Sequence, residues 1–293
     1  MIILVVGYRS MLAQELLPCL QQAGFVVVGR GRPVLDIIQA ASIHAVLQEV
    51  QPDICINTAA YTAVDRAESD PAGAFAVNRD GVASLAVACR DAGIPLIHLS
   101  TDYVFDGTAS RPYREEDPAA PLGIYGRSKW EGEEAVRAVH REHLIVRTAW
   151  LYGHHGTNFV KTMLRLARER QVLQVVHDQH GCPTWTRDLA RTLTALCQRL
   201  AQAPDACPWG TYHFCGAGQT TWYDFARAIF AEVRSSEALQ IQRVEPIPTT
   251  AYPTPARRPA YSVLDVSKIQ ATFGITPRPW RDSLHDCMQE WPQ

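Results

Sequence analysis

The first half of the chain alternates short apolar runs with stretches in which apolar residues recur at helical spacing. The runs are rich in valine and isoleucine and carry few polar residues, which is typical of parallel strands covered on both faces. We predict strands at residues 2–6, 25–28, 54–57, 95–100 and 144–147. Because helical segments separate these strands, the pattern predicts an α/β fold built on a Rossmann-type, doubly wound parallel sheet.

Two helices in this half have informative boundaries. Asp70 and Pro71 fit the N-cap and the first position of the helix that precedes the fourth strand. Pro18 lies inside the first helix and should kink or shorten it, because proline has no backbone N–H to donate.

Beyond residue 150 the pattern changes. Predicted helices at residues 159–168, 188–200 and 221–233 are separated by loops that contain proline and glycine. We therefore expect residues 1–150 to form the Rossmann domain. Residues 151–293 should form mainly a smaller C-terminal substrate-binding lobe, with some segments that return to the Rossmann core.

Composition narrows the functional classes. The chain has 293 residues, of which 47% are hydrophobic and 20% charged, and its net charge is −2. This balance gives no excess of positive charge that would bind nucleic acid or a membrane surface. We therefore expect neither partner and favour small-molecule chemistry. The sequence opens on an apolar strand without a basic leader, and no uncharged apolar stretch is long enough to span a bilayer. We therefore expect a cytoplasmic protein.

Cysteine and histidine positions do not predict a metal site. The eight cysteines include no Cys-x-x-Cys pair, and buried reduced thiols explain them better than disulfides or zinc. His154 and His155 are adjacent in the chain rather than at ligand spacing.

The turn after the first strand is a candidate for binding a dinucleotide. Gly7 fits the first position of the glycine-rich turn that brings backbone amides close to a pyrophosphate, and Ala13 fits the third. Ser10 replaces the middle glycine, where its Cβ would crowd the phosphate. We expect Gly7, Ser10, Met11 and Leu12 to contact an NAD(P) cofactor, but a strand that ends in an ordinary turn fits this segment about equally well.

Arg30 ends the second strand, where the adenosine ribose is usually bound. A guanidinium there suits a 2′-phosphate, so NADPH is predicted in preference to NADH, which stays an alternative. A solvated surface arginine is the competing interpretation. Further cofactor contacts are predicted in the segments after strands two and three, at Asp36, Ile37, Ala59, Ala60 and Tyr61.

The most specific signal is Tyr125 followed by Lys129, with Thr101 upstream at the end of the fourth strand. The i, i+4 spacing places the phenol and the amine on one face of a helix. An ammonium near a phenol favours its ionised form, so we expect Lys129 to lower the pKa of Tyr125 and to hold the nicotinamide ribose as well. These three residues are the predicted catalytic group.

Seven segments carry a resemblance to a known family. They are Asn-Thr-Ala-Ala-Tyr-Thr-Ala-Val-Asp at 57–65, Ser-Thr-Asp-Tyr-Val-Phe-Asp-Gly at 100–107, Tyr-Gly-Arg-Ser-Lys at 125–129, Arg-Thr-Ala-Trp-Leu-Tyr-Gly at 147–153, Asn-Phe-Val-Lys-Thr-Met at 158–163, Asp-Gln-His-Gly-Cys-Pro-Thr at 178–184 and Pro-Thr-Pro-Ala-Arg-Arg-Pro at 253–259. With these segments the chain resembles the dTDP-4-dehydrorhamnose reductase family, within the extended short-chain dehydrogenase/reductase superfamily, over nearly its whole length.

The resemblance implies reduction of the 4-keto group of dTDP-4-dehydro-β-L-rhamnose to dTDP-L-rhamnose, the last step in making that nucleotide sugar. It implies that Tyr125 protonates the developing alkoxide while Thr101 hydrogen-bonds the same oxygen. The side chains that it places around the substrate are Thr62, Val64, Thr101, Asp102, Tyr103, Tyr125, Trp150 and Arg258, the last near the diphosphate. A core position explains Trp150 equally well, since tryptophan after a buried strand usually packs.

Two other functions stay open. A nucleotide-sugar 4,6-dehydratase or epimerase of the same superfamily shares the tyrosine and lysine, although a dehydratase of this type carries an acidic residue where this chain has Tyr103. A non-catalytic, NADP-binding regulatory subunit is favoured by the substituted glycine turn and opposed by the intact catalytic group. Members of the resembling family can be homodimers, and Mg²⁺ is compatible with the resemblance, but no ligand spacing here calls for either.

Overall fold

The computed structural model describes residues 1–203, 206–233 and 239–291. The first half contains β1 (Ile2–Val6), α1 (Met11–Gln22), β2 (Val26–Arg30), α2 (Ala40–Val50), β3 (Ile54–Asn57), α3 (Val64–Ala67), α4 (Pro71–Phe75), a π-helical turn (Ala76–Gly81), α5 (Val82–Asp91), β4 (Leu96–Thr101), a 3-10 turn (Asp102–Val104), α6 (Ile124–Val139) and β5 (His143–Thr148). Each of the five predicted strands is present within two residues of its expected bounds.

The second half continues from β5 with short strands and longer helices. It contains β6 (Leu151–Tyr152), α7 (Phe159–Glu169), β7 (Val172–Val176), β8 (His180–Gly181), β9 (Thr184–Trp185), α8 (Thr186–Gln202), β10 (Gly210–His213), β11 (Thr220–Thr221), α9 (Trp222–Val233), β12 (Arg243–Ile247), a 3-10 turn (Thr249–Ala251), α10 (Ser267–Phe273) and α11 (Trp280–Gln289). The three predicted helices correspond to α7, α8 and α9.

The central sheet has six parallel strands in the order β10-β5-β4-β3-β1-β2. Residues of β1 alternate between two cores: Ile3 and Val5 pack under α1 and α8, whereas Leu4 and Val6 pack under α2 and α5. This alternation follows from the two-residue period of a strand, and it explains why β1 is apolar at every position. The predicted Rossmann-type, doubly wound sheet is confirmed.

Segments beyond residue 150 complete this sheet. Helix α8 packs its leucines against Leu16 and Leu20 of α1, and β10 pairs with β5 as the sixth strand. Most of the other elements of the second half, including α7, α9 and α11, surround a separate core that includes Tyr152, Trp185 and Phe225. This second core lies beside the sheet and supplies one wall of the cavity described below.

Helix α1 differs from its prediction. It runs from Met11 to Gln22 and continues four residues past Pro18, so the expected shortening at that proline is wrong. Proline removes one backbone hydrogen bond, but Leu16 and Leu20, on either side of it, are fully buried in the core. Tertiary packing therefore maintains the last turn of the helix.

Three other features bear on the sequence predictions. The N-cap of α4 is Asp70, whose carboxylate accepts from the Gly73 amide at 3.0 Å, with Pro71 at the first helical position. All eight cysteines are free thiols. None of the described helices has the length and apolar character that a bilayer crossing requires.

Candidate active site

A cavity of about 900 Å³ opens at the carboxyl ends of β1, β3, β4 and β5. This is the edge at which open parallel sheets bind their ligands. Its volume is at the upper end of the range for ligand pockets and leaves room for two ligands side by side. Both halves of the chain contribute to its walls.

Most of the predicted site residues line this cavity. They are Gly7, Ser10, Met11, Leu12, Asp36, Ile37, Ala59, Ala60, Thr62, Val64, Thr101, Asp102, Tyr103, Tyr125, Lys129 and Trp150. Three predicted residues, namely Arg30, Tyr61 and Arg258, are not among the described lining residues. The cavity wall therefore brings together the predicted catalytic group, most of the predicted cofactor contacts and most of the predicted substrate contacts.

Gly7 allows a close approach between two strand ends. Its φ of +81° lies in the left-handed region, and a Cβ at this position would stand 2.7 Å from the backbone nitrogen of Ala59. A side chain is excluded by both the backbone conformation and the contact. Glycine is thus required at this first position of the turn.

Ser10 has a structural role in the turn. It is the N-cap of α1: its Oγ accepts from the Ala13 amide at 3.1 Å and donates to Thr58 Oγ1 at 3.0 Å. Serine is among the best N-cap residues, so the helix gains a cap where the usual motif has glycine. Met11 and Leu12, in the first turn of α1, line the cavity, which leaves the positive end of the helix facing it.

The arginine contacts differ from the prediction. Arg30 points away from the cavity and forms an ion pair with Glu49 of α2 at 2.9 Å. The arginines that line the cavity among the described residues are Arg9, in the glycine turn, and Arg32, two residues beyond β2. Strand ends mark the region where a 2′-phosphate would lie, but the direction of each side chain depends on its tertiary partners.

Tyr61 and Arg258 also have partners outside the main cavity. The Tyr61 amide donates to Asn78 Oδ1 at 2.8 Å and its hydroxyl donates to Asp70 at 3.1 Å. Arg258 forms a bidentate ion pair with Asp65 at 3.0 and 2.8 Å. Arg258 is nevertheless close to the site, because its charge acts on the hydroxyl of Tyr103, which lines the cavity.

Thr101 and Tyr125 form the polar centre of the cavity. The Thr101 hydroxyl donates to Asp102 Oδ1 at 3.1 Å and accepts from the Tyr103 amide at 3.2 Å. Burial raises the pKa of Tyr125 to about 12, against the opposing effect of its hydrogen bond with Thr101. The expected lowering of this pKa is therefore wrong, and Tyr125 is fully protonated at neutral pH, as a proton donor must be.

Lys129 lies one helical turn beyond Tyr125 and is only 2% exposed. Its Nζ donates to the Leu99 carbonyl oxygen at 2.6 Å. Burial lowers the pKa of Lys129 to about 8, although the carboxylate of Glu133 opposes the shift. The amine can therefore exchange a proton near neutral pH.

Several other cavity residues were not predicted from the sequence. Trp222, at the start of α9, and Thr157, before α7, bring the second half of the chain to the site. Neither belongs to a recognisable short motif. Only the fold brings them within reach of the sheet edge.

The described residues contain no group of three or more His, Cys, Asp or Glu side chains arranged to hold a metal ion. Of the acidic side chains that line the cavity, Asp102 accepts from the Thr101 hydroxyl and Asp36 accepts from the Ile38 amide.

Comparison with known proteins gives the family. The family model described as the RmlD substrate binding domain matches residues 1–292. The chain belongs to the dTDP-4-dehydrorhamnose reductase family. It is 46% identical over 253 residues to the dTDP-4-dehydrorhamnose reductase of Sinorhizobium fredii, covering 86% of this chain and 85% of that protein. It is 43% identical over 293 residues to the enzyme of the same name from Burkholderia thailandensis, covering 98% of each.

A solved member of the reductase family has the same fold. The dTDP-4-dehydrorhamnose reductase from Bacillus anthracis, in complex with NADP, superposes with a TM-score of 0.91 at 35% identity and 99% coverage of both chains. The predicted family is confirmed over the full length of the chain, including the second half that closes the cavity. The substituted glycine turn therefore lies within a fold that matches this reductase over 99% of both chains.

Proposed function

We propose that this protein reduces the 4-keto group of dTDP-4-dehydro-β-L-rhamnose to dTDP-L-rhamnose, with NADPH as the reductant. The observation that carries the proposal is that Thr101, Tyr125 and Lys129 line the same cavity as the Gly7 turn. The proposed proton donor and cofactor site thus share one cavity. Membership of the reductase family supports the substrate.

The residues present fit a dinucleotide. Gly7 lets the turn lie close against the backbone of Ala59, where a Cβ would clash, and the first turn of α1 faces the cavity. Arg9 and Arg32 would hold the 2′-phosphate through charge-assisted hydrogen bonds, in place of the predicted Arg30. Lys129 would hold the nicotinamide ribose. When bound, NADPH supplies the hydride.

Tyr125 supplies the proton. Its hydroxyl stays protonated at neutral pH and stands against Thr101, so it can donate to the oxygen that becomes an alkoxide as the carbonyl is reduced. Thr101 would hydrogen-bond the same oxygen by turning its proton from Asp102. The phenolate left on Tyr125 then recovers a proton from Lys129, which recovers its own from solvent. Hydride and proton together account for the two hydrogen atoms gained by the sugar.

The wall opposite the cofactor turn suits the nucleotide sugar. Thr62, Val64, Asp102, Tyr103 and Trp150 line it, and we propose that they border the sugar. Arg258 would approach the diphosphate by sharing its guanidinium between Asp65 and the phosphate oxygens. This arrangement makes Arg258 a residue that changes partner on binding.

The test is the loss of 340 nm absorbance when the purified protein is mixed with NADPH and enzymatically prepared dTDP-4-dehydrorhamnose, with NADH in parallel. We expect oxidation that requires both protein and sugar and is faster with NADPH. No oxidation with either cofactor, from protein that unfolds cooperatively, would refute the proposal and favour a non-catalytic, NADP-binding subunit. Conversion of the sugar without net oxidation would indicate an epimerase.

We also propose that the protein acts in the cytoplasm, with a nucleotide sugar as its small-molecule partner, and that it works as a homodimer. Light scattering during gel filtration tests the last point, since a mass near the 32.6 kDa of one chain would contradict it.

A further inference from the structure

A buried histidine lies directly behind the proposed catalytic lysine. His98, in β4, is completely inaccessible to solvent. Its Nε2 is 3.4 Å from Lys129 Nζ, and its Nδ1 is 3.1 Å from Asn57 Nδ2. The ring therefore bridges the end of β3 and the helix that carries Tyr125 and Lys129. The proposed mechanism does not use it.

Asn57 determines which ring nitrogen of His98 carries hydrogen. Its Oδ1 accepts from the Ala59 amide at 3.0 Å, so the atom that faces His98 is the amide nitrogen, which can only donate. Nδ1 of His98 must then accept. A neutral imidazole has a single N–H, so that hydrogen lies on Nε2 and faces Lys129.

The surroundings keep this ring neutral. Burial, together with the positive charges of Lys129, His143 and Arg137, holds the pKa of His98 well below its usual range. The carboxylate of Glu133 acts on Lys129, where it opposes the effect of burial. His98 consequently cannot serve as a proton acceptor near pH 7, although it can present a fixed N–H.

We propose that His98 is a positioning residue for Lys129: Asn57 fixes the ring with Nε2–H towards the lysine amine, which directs the amine's protons to the Leu99 carbonyl and the cavity. An N–H that faces an amine disfavours its ammonium form, because two donors then point at each other. Lys129 is thereby poised to give up a proton when the catalytic phenolate needs one. The inference rests on the proposed function, in which Lys129 returns the proton to Tyr125.

The ring tautomer can be measured without substrate. In protein labelled with ¹⁵N-histidine, long-range proton–nitrogen NMR distinguishes the two neutral tautomers and the imidazolium, and the His98→Gln variant assigns the signal. We expect the Nε2–H tautomer at pH 7. An Nδ1–H tautomer or an imidazolium would overturn the proposal, whether or not the protein reduces the sugar.

Kinetics test the effect on Lys129. His98→Leu removes the Nε2–H donor and should lower kcat about tenfold, with KM for the sugar within about twofold, as expected when only proton transfer is impaired. His98→Gln keeps a side-chain N–H donor at nearly the same place and should recover kcat to within about threefold of wild type. Equal losses in the two variants, or none in His98→Leu, would contradict the proposal.

The matched control is His140→Leu. His140 is also buried, but its Nε2 contacts the Ile94 carbonyl at the amino end of β4, away from the cavity. Its variant should lose stability with little change in kcat. A comparable loss of kcat in His140→Leu would mean that the effect of His98→Leu comes from a general loss of packing, and would contradict the proposal.

Asn57→Asp reverses the tautomer and provides a second test. Its carboxylate would accept from Nδ1–H, which leaves Nε2 as an acceptor for the Lys129 ammonium. The alkaline limb of the kcat profile should then move upward by about one pH unit, a tenfold change in proton concentration. An unmoved limb would overturn the proposal. Absence of turnover in the wild-type protein would refute the proposed function instead, and would leave the tautomer measurement intact.

Discussion

The indole of Trp150 stacks on that of Trp222, with ring centroids 3.4 Å apart and planes 6° from parallel. Trp150 follows β5 of the Rossmann sheet and Trp222 begins α9, so the stack joins the two halves of the chain at the cavity wall. Trp150 has a φ of +46°, a left-handed conformation that is costly for a bulky residue. Strained residues of this kind cluster at functional sites, which favours a binding role for this tryptophan over a purely structural one.

Gly181 makes room for this stack. A Cβ at Gly181 would lie 2.3 Å from the Trp150 ring, so Gly181→Ala must displace the indole. We expect KM for the nucleotide sugar to rise about tenfold, since overpacking of this size costs about 1–3 kcal/mol. Steady-state kinetics provide the measurement. Gly93→Ala is the control, because Gly93 has a positive φ but open space around its Cβ position. An equal rise in KM in both variants would exclude a specific role for the stack.

The Ser10 cap should contribute to stability. Ser10→Ala removes the acceptor for the Ala13 amide and should lower the free energy of unfolding by about 1 kcal/mol, as for other N-caps. Ser10→Thr keeps the hydroxyl and should lose less. Urea titrations followed by circular dichroism measure both values. A stability of Ser10→Ala equal to that of wild type would mean that the cap is replaceable by water.

Arg9 and Arg32 should set the preference for NADPH. Removing either should raise KM for NADPH about tenfold or more and leave KM for NADH nearly unchanged, because a charge-assisted hydrogen bond contributes about 1.5–3 kcal/mol. Arg30→Ala is the matched control, since Arg30 pairs with Glu49 outside the cavity. Initial rates with the two cofactors measure the effect. A loss of preference in Arg30→Ala alone would reinstate the original assignment.

Tyr125→Phe removes only the hydroxyl that we propose as the proton donor. We expect kcat to fall by roughly 10²–10⁴-fold while the protein remains folded, the range for loss of a general acid. Tyr212→Phe is a suitable control, because the Tyr212 hydroxyl bonds to the Pro208 carbonyl far from the cavity. Stopped-flow oxidation of NADPH measures both variants. Near-normal turnover in folded Tyr125→Phe would assign proton donation to another group.

Asp102 should make stability depend on pH. Burial raises the pKa of this carboxyl from 3.8 to about 6. Between these values the native state binds more protons than the unfolded chain, so stability falls as the pH rises through the folded pKa. At about 1.4 kcal/mol per unit, the loss by pH 7 is about 3 kcal/mol.

The side chain of the Asp102→Asn variant cannot ionise. Between pH 4 and pH 7 its free energy of unfolding should therefore fall by about 3 kcal/mol less than that of wild type. Urea titrations of both proteins at the two pH values give the comparison. Parallel pH dependence in the two proteins would show that Asp102 does not titrate as described.

The local pattern of the chain predicted an element well where the residues of that element carry the apolar run themselves. The strand of residues 54–57 was predicted with its exact bounds because every one of its residues is buried. β10 was missed because its four residues, which include Gly210 and His213, carry no run of apolar side chains. Its place in the sheet comes from pairing with β5, a contact more than sixty residues distant in sequence.

The sequence by itself determined the parallel sheet and the family, and it singled out the proposed catalytic group, because periodicity and motif spacing are properties of neighbouring residues. Only the tertiary structure decided that Arg9 and Arg32 face the cavity while Arg30 faces Glu49, since side-chain direction depends on the partner that lies opposite. It also decided that burial raises the pKa of Tyr125, whereas the helical spacing of Lys129 suggested the reverse. Desolvation is the sum of all surrounding atoms, most of them distant along the chain, so no local pattern encodes it.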